Sequence, residues 1–269
     1  MPKVSVVMGV YNCRDSAALY RSVQSIIAQT YTDWEFIIID DGSTDNTFEL
    51  LQKIKELDTR IRIERYAKNK GLAFALNHGI SLAEGQYIAR MDDDDISRED
   101  RLAKQIAYLE THKEIDFVGS IARVFNNNGV WGVLKMPEAP AKNDFLWNIP
   151  FIHPTMVFRK NIFDVVQYST DASNRRCEDY TLVMDLYSKG YKGHNIQETL
   201  LDYYVANGSK KYRPMKDRLS EAVVRYRGYK KNGILLQGLP YILKPVILGL
   251  IPQFIFKKIK EIQYRRYGK

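Results

Sequence analysis

Four consecutive carboxylates, Asp92-Asp93-Asp94-Asp95, follow the segment Gln86–Met91. Neighbouring carboxylates repel one another unless positive charge collects among them. Hard carboxylate oxygens at the exit of a strand suit Mg2+ or Mn2+, ions often held by one or two carboxylates together with substrate phosphates. A charged turn ahead of a helix is the alternative, and the tetrad by itself leaves both readings open. Two acidic pairs stand out elsewhere. Asp40-Asp41 precedes Gly42-Ser43-Thr44-Asp45, which can accept hydrogen bonds from a ligand or build a turn and a helix cap. Glu178-Asp179 can supply a general base, or place negative charge at a helix start, where the dipole favours it. Arg90 is a phosphate contact or a counter-charge for the tetrad. Lys70 reaches a phosphate or a base, or is solvated in its glycine turn. His153, one of four histidines, faces a ligand or belongs to the core.

The elements around these residues alternate. Val4–Val10 is an apolar, β-branched run expected of a strand buried on both faces. Asp15-Ser16 caps a helix carrying Leu19, Val23, Ile26 and Ile27 at helical spacing. Trp34–Ile39 predicts a second strand, Asp45-Asn46 opens a helix through Ile54, and Ile61–Tyr66 predicts a third strand. Asn69-Lys70-Gly71 turns into a helix over Leu72–Leu82, Gln86–Met91 forms a fourth strand, and Arg98–His112 is helical. Such alternation argues for βαβ units, a parallel sheet and ligand sites beyond the carboxyl ends of its strands. Tyr11-Asn12, Asp40-Asp41 and the tetrad all fall at that edge. Further on, Phe117–Phe125 and Val130–Met136 form a hairpin around Asn126-Asn127-Asn128-Gly129. His153–Phe158 and Leu200–Val205 read as strands, and Tyr180–Lys189 as a helix stopped by Gly190.

The net charge of +8 conceals an asymmetry. Residues 209–269 carry 16 Lys and Arg against 3 Asp and Glu, while residues 1–208 carry 24 against 29. An acidic body with a basic tail describes the chain better than a basic protein. Cys13 and Cys177 have no metal-ligand spacing, and two free thiols are expected in a reducing compartment. The N-terminus lacks the apolar length and small-residue cleavage site of a signal peptide, which predicts a cytoplasmic protein.

Taken together, these segments resemble family 2 glycosyltransferases of the GT-A fold. The match runs through Val4–Met8 with Tyr11-Asn12, then Ile37–Asp45, then Asn69-Lys70-Gly71 with Ala73 and Asn77. It continues through Arg90–Asp95 and Glu178-Asp179-Tyr180, covering roughly residues 3–205. The resemblance implies a Rossmann-like α/β fold, with a mixed, mainly parallel sheet flanked by helices. It implies inverting transfer of a sugar from a nucleotide-activated donor, a UDP-sugar, to a saccharide or lipid-linked saccharide hydroxyl. By that likeness Val10, Tyr11, Asn12, Asp41, Lys70, Asp92 and Asp93 bind the donor. Tyr11 lies against the nucleobase and Asp41 accepts from a uracil imide. Asp94 is the ligand for Mn2+ or Mg2+, Asp179 is the base, and His153, Glu178 and Arg90 support the acceptor side. Asp95, ahead of Ile96-Ser97, is open to a further role as cap of the Arg98 helix.

Two departures bear on function. Where many relatives have Tyr-Arg-any-His, this chain reads Tyr203-Tyr204-Val205-Ala206, so any metal or phosphate contact from that Arg and His is missing. The Gln-any-any-Arg-Trp motif of processive synthases is also absent, which favours single additions. A nucleotidyltransferase would carry a Gly-rich, basic loop near its N-terminus, unlike Val10-Tyr11-Asn12-Cys13; an inactive scaffold is the other rival. The chain divides into a catalytic domain, 1–208, and a helical, amphipathic C-terminal region, 209–269. Apolar sequence from Ile234 to Phe256 is broken by Pro240, Pro245 and Pro252, so pieces lying in a membrane interface are expected rather than a span. The flanking Lys257, Lys258, Lys260, Arg265 and Arg266 suit anionic lipid. Residues 234–269 therefore predict a peripheral protein on the inner face of the cell membrane, with no nucleic acid partner. A pair of helices packed on the catalytic domain or in a homodimer is the competing expectation.

Overall fold

A computed structural model describes residues 2–174, 176–205 and 214–250. Its nine-stranded sheet has the order β3-β2-β1-β4-β8-β6-β9-β5, with β7 paired to β6. The strands are β1 (Val4–Val10), β2 (Trp34–Asp40), β3 (Ile61–Arg65), β4 (Tyr87–Arg90), β5 (Ile96–Ser97), β6 (Phe117–Asn126), β7 (Gly129–Leu134), β8 (Val157–Arg159) and β9 (Gly193–Tyr204). The helices are α1 (Ser16–Ile27), α2 (Thr47–Lys55), α3 (Leu72–Leu82), α4 (Arg101–Thr111), α5 (Glu178–Ser188), α6 (Met215–Asn232), α7 (Leu235–Ile242) and α8 (Lys244–Leu250).

The first four strands pair in parallel, as the βαβ alternation requires. β8 then joins β4 antiparallel and makes the sheet mixed. Both faces are covered, which is why β1 and β2 read as continuous apolar runs rather than alternating ones. Val6, Met8 and Val10 pack with Leu19, Val23 and Ile26 of α1 and with Leu51 of α2. Val7, Ile37 and Ile39 pack on the opposite face with Ala75 and Leu76 of α3 and with the α5 side chains. The Asp15 carboxylate caps α1 by accepting from the Ala18 amide at 2.9 Å. The turn at Asn128-Gly129 joins β6 to β7, with Gly129 at φ +108°.

Three expected boundaries moved. α4 begins at Arg101 rather than Arg98, because the Arg98 amide is taken by the Leu200 carbonyl and β5 pairs with β9. Asp95 consequently does not cap that helix: its Oδ1 accepts from the Tyr204 amide on β9 at 2.8 Å. His153–Thr155 is a 3-10 turn rather than strand. Pro154 has no amide to give a ladder, and Thr155 returns both its amide and its hydroxyl to the Ile152 carbonyl. β9 starts at Gly193, seven residues before the expected Leu200, because its Gly193–Ile196 stretch runs parallel to β6. Its half-polar sequence, Gly193-His194-Asn195, disguised the strand.

The C-terminal helices are built onto the body. Val224 and Tyr229 of α6 belong to the same core as α5. Arg225, fully buried, donates to the Leu146 carbonyl at 3.1 Å and the Tyr229 hydroxyl at 2.8 Å, and pairs with Glu221 at 2.9 Å. Among the described residues, no helix is long and apolar enough to cross a membrane. Cys13 and Cys177 are free thiols, as expected. Lys257, Lys258, Lys260, Arg265 and Arg266, expected to meet anionic lipid, lie outside the described residues.

Candidate functional site

The carboxyl ends of β1, β2 and β3 build one wall of the site. Asn12, at φ +46°, crosses to the loop after β2: its amide donates to Ser43 Oγ at 3.0 Å, and its Oδ1 accepts from the Thr44 amide at 2.9 Å. Asp40 is fully buried, accepts from the Ser43 amide at 2.9 Å and pairs with Arg65 at 3.2 Å. Asp41 is also buried, and its carboxylate gathers the turn before α3. Oδ1 accepts from the Lys70 amide at 2.7 Å, while Oδ2 accepts from the Gly71 amide and from Asn69 Nδ2, both at 2.8 Å. Gly42 is indispensable to this meeting: at φ +67°, a Cβ there would lie 2.5 Å from the Lys68 carbonyl carbon. Tyr11 is exposed at the end of β1, and Val10 is buried beneath it. Lys70 places its ammonium over the Phe74 ring, 4.1 Å from the centroid.

The tetrad forms the next part of the wall and is graded by burial. Asp94 is exposed, Asp92 and Asp93 are half-buried, and Asp95 is fully buried. Ser22 Oγ of α1 fixes the loop by donating to the Asp92 carbonyl at 2.7 Å. The charge of Asp93 reaches the Cys13 thiol, where it joins burial in raising the pKa. Burial first, then the charges of Asp92 and Asp94, raises the Asp95 carboxyl well above the ordinary range.

Two buried guanidinium groups stand behind these carboxylates. Arg90, only 2% exposed, is ion-paired with Asp92 through Nη2, while its Nε and Nη1 are buried with no protein partner. Arg101, fully buried at the start of α4, donates to the Arg90 carbonyl at 2.8 Å and to Gln105 Oε1 at 2.9 Å. Burial pulls the Arg101 pKa down to about 9, opposed by the charge of Asp95. It remains a cation at neutral pH. Sequence reasoning missed Arg101, although a basic residue six positions after the tetrad was visible.

The Arg90 side faces the candidate base. Strand alternation turns Tyr87, Ala89 and Met91 toward α1 and α4, and leaves Arg90 with Ile88 on the α3–α5 face. There Tyr168 Oη and His153 Nε2 lie 2.7 Å apart. Burial and the Arg90 charge lower the His153 pKa well below its ordinary value, so the ring is neutral at pH 7. Burial likewise raises the Tyr168 hydroxyl; Arg90 opposes the shift, and Asp179, Asp92 and Glu178 reinforce it. One hydroxyl thus lies within the fields of the tetrad, the buried arginine and the Glu178-Asp179 pair. Glu178 and Asp179 occupy the first turn of α5, half-buried. Arg176, at φ +60°, gives its amide to Glu178 Oε1 at 3.1 Å just before that turn.

Tyr168 carried no signal in the sequence, but its holder did. Asn77, part of the motif beginning at Asn69, clamps the Tyr168 backbone with two bonds: Nδ2 to the carbonyl at 2.8 Å and the amide to Oδ1 at 3.0 Å. Arg90 thus pairs with Asp92 and His153 with Tyr168, and the charges of Arg90, Asp92, Glu178 and Asp179 all reach the Tyr168 hydroxyl. Val10, Tyr11, Asn12, Asp41 and Lys70 form a second group along the adjoining strand ends.

Among the described residues no three His, Cys, Asp or Glu side chains converge as a ready-made metal cage. The donor set suits a hard divalent ion held by one or two carboxylates and completed by phosphate oxygens. Asp94 is the outermost carboxylate, with Asp92 and Asp93 beside it. Two guanidinium charges against four carboxylates leave the cluster formally negative.

Comparison with known proteins agrees with this architecture. The family model described as Glycosyl transferase family 2 matches residues 5–167. The putative glycosyltransferase EpsE of Bacillus subtilis (strain 168) is 35% identical over 99% of this chain and 97% of its own length. An Escherichia coli relative, the UDP-Glc:alpha-D-GlcNAc-diphosphoundecaprenol beta-1,3-glucosyltransferase WfaP, is 31% identical over 83% of this chain and 86% of its own. Among solved structures, the mannosyltransferase PcManGT from Pyrobaculum calidifontis, in complex with GDP-Man and Mn2+, superposes with a TM-score of 0.62. It is 17% identical and covers 99% of this chain and 82% of that one, a likeness of fold.

Proposed function

The chain belongs to glycosyltransferase family 2, and from that premise we propose a metal-dependent, inverting transfer of one sugar per encounter from a UDP-sugar to a saccharide or lipid-linked saccharide hydroxyl, in cell-surface polysaccharide synthesis. The observation that carries the reading is that Tyr168, bonded to His153 at 2.7 Å, feels the charges of both Asp92 and Asp179, a donor-side carboxylate and the candidate base. The activity for which WfaP is named supports a UDP-sugar donor and a diphosphoundecaprenol-linked acceptor. The Mn2+ bound by PcManGT supports a divalent ion.

In this reading Tyr11 stacks on the nucleobase, Val10 and Asn12 shape the pocket below it, and Asp41 and Lys70 present the 69–71 turn to the donor. Asp92 and Asp93 approach the ribose and diphosphate. Asp94 would hold Mn2+ or Mg2+, which supplies Lewis-acid relief of the charge building on the departing diphosphate. Asp179 takes the proton from the acceptor hydroxyl as its oxygen bonds to the anomeric carbon. The bond from that carbon to the phosphate oxygen breaks on the opposite face, and its electron pair leaves with the nucleoside diphosphate. Arg90 holds Asp92 from behind, and Glu178 and His153 support the acceptor side. Residues 1–208 form the catalytic unit, and 234–269 brings it to an anionic membrane at the inner face of the cell.

Release of UDP from a UDP-sugar tests the reading. It is expected to require Mn2+ or Mg2+ and to vanish in Asp94→Ala. Asp179→Asn is expected to bind donor as the parent does and to lose transfer. Full transfer by Asp179→Asn would remove that residue as base.

A further inference from the structure

Among the described residues, the C-terminal helices present a row of exposed apolar side chains. Leu236, Leu239, Leu243, Ile247 and Leu250 recur at spacings of three and four, and each is between 52% and 82% exposed. The other side of α7 is seated on α6, where a Cβ at Gly238 would fall 2.2 Å from Tyr229 Cδ2. The row is therefore not core waiting to be packed. It continues onto the catalytic body. Trp147, 63% exposed, meets Tyr241 of α7 edge-on with ring centroids 6.3 Å apart. The Lys244 ammonium sits 3.7 Å from the centroid of the Trp147 indole and donates to its carbonyl.

We propose that Trp147 and this α7–α8 row form a single docking face for an anionic phospholipid surface. The inference deepens the acceptor side of the reading above. Two features select lipid. Residues 209–269 carry 16 basic against 3 acidic side chains, which complements anionic headgroups. A leucine row beside an indole and a lysine matches the chemistry of an interface, with apolar groups entering and amphipathic ones at headgroup level. The face is also tied to the base. Arg225 and Tyr229 of α6 donate to the Leu146 carbonyl at 3.1 and 3.0 Å, and Arg225 reaches the Trp147 carbonyl at 3.3 Å. The hydroxyl of Tyr180, next to Asp179, donates to the Phe145 carbonyl at 2.6 Å. Arg176, just before α5, pairs with Asp217 of α6 at 3.2 Å. A membrane contacting Trp147 and α7 would thus stand in a fixed relation to Asp179.

Co-sedimentation of the full chain with phosphatidylglycerol–phosphatidylcholine vesicles tests this, without donor or acceptor present. Failure here leaves the transfer reading standing, and failure of transfer leaves this result standing. Binding is expected to fall at least tenfold on phosphatidylcholine alone and to weaken with salt. Leu236→Ser with Leu243→Ser is expected to lose roughly a hundredfold, about tenfold per leucine withdrawn from lipid. These side chains are exposed, so the doubly substituted protein should retain the parent's melting temperature and donor hydrolysis. Vesicles should shift the indole emission to shorter wavelength in the parent and not in Trp147→Phe. Three results would overturn the proposal: no binding of the full chain, undiminished binding of the doubly substituted protein, or a solution dimer that this protein splits while the parent ignores vesicles.

Discussion

Replacing Asp41 by Asn separates its two possible roles. The parent carboxylate accepts three short hydrogen bonds, from the Lys70 and Gly71 amides and from Asn69 Nδ2. In Asp41→Asn the amide oxygen does best at the Oδ2 position, where it keeps the Gly71 amide and Asn69 Nδ2. The new NH2 group then points at the Lys70 amide, donor against donor. One charge-assisted bond is lost in a buried setting, worth about 1.5–3 kcal/mol. The two bonds that remain lose their charge, so the upper part of that range applies, and a total of about 3 kcal/mol is expected. A chain of this size shifts by about 2–4 °C per kcal/mol, giving a melting temperature lower by roughly 6–12 °C. The assay is thermal unfolding of both proteins with and without saturating UDP. If the turn is the principal role, most of the loss appears without nucleotide, and UDP adds the same increment to both. An unchanged melting temperature with loss of the UDP increment would refute the reasoning and make Asp41 a direct nucleobase ligand.

Other perturbations follow from the same geometry. Tyr168→Phe removes the hydroxyl that meets His153 but keeps the Asn77 clamp on its backbone; it should cost about 1 kcal/mol in urea unfolding and lower transfer more than donor hydrolysis. Gly42→Ala combines a positive φ with a backbone collision, and should destabilise by more than the roughly 1–2 kcal/mol of left-handed strain alone; unchanged urea stability would contradict that packing. The pH dependence has a definite sign. His153 and His194 both have lowered pKa values, mainly from burial. Below about pH 6.5 the unfolded chain binds protons that the folded chain refuses, so stability is present above that pH and is lost as pH falls. His153→Asn should flatten the urea-stability profile between neutral pH and mild acid, and a slope equal to the parent's would show that His153 is not titrating this way.

The parallel half of the fold was legible because its strands are continuous apolar runs and its helices carry apolar stripes between turn residues. The Asp15 cap and the Asn-Gly hairpin followed from local chemistry. The rest depended on contacts distant in sequence. Its place ahead of the Arg98 helix leaves Asp95 open to a cap role, yet its partner is the Tyr204 amide, 109 positions away. No local signal can favour that bond. Tyr168 carries no mark in the sequence, and Asn77 is what holds its segment where it meets His153. Asn77 belonged to the resemblance, but its task of holding another segment's backbone leaves no spacing to detect. The sequence His153–Phe158 reads as strand, although Pro154 already argues for a break at its start.

The tetrad itself changes meaning once its charges are followed inward. The positive charge such a run requires is partly in the protein: Arg90 on Asp92, and Arg101 behind Asp95. A cation is therefore not needed to explain why the run exists, and the acidic cluster taken alone is weaker support for a metal than it first was. The buried end counts against a four-carboxylate site, because Asp95 spends Oδ1 on β9 and burial disfavours its charge. What remains for a divalent ion is the outer end, Asp94 with Asp92 and Asp93, too few protein ligands to hold it alone. Such an ion would bind well only with the donor's phosphates completing its shell. On this argument metal affinity without nucleotide should be weak and should rise sharply with UDP. Calorimetric titration of Mn2+ in the two states decides it, and tight binding without UDP would return the tetrad to a self-sufficient metal site.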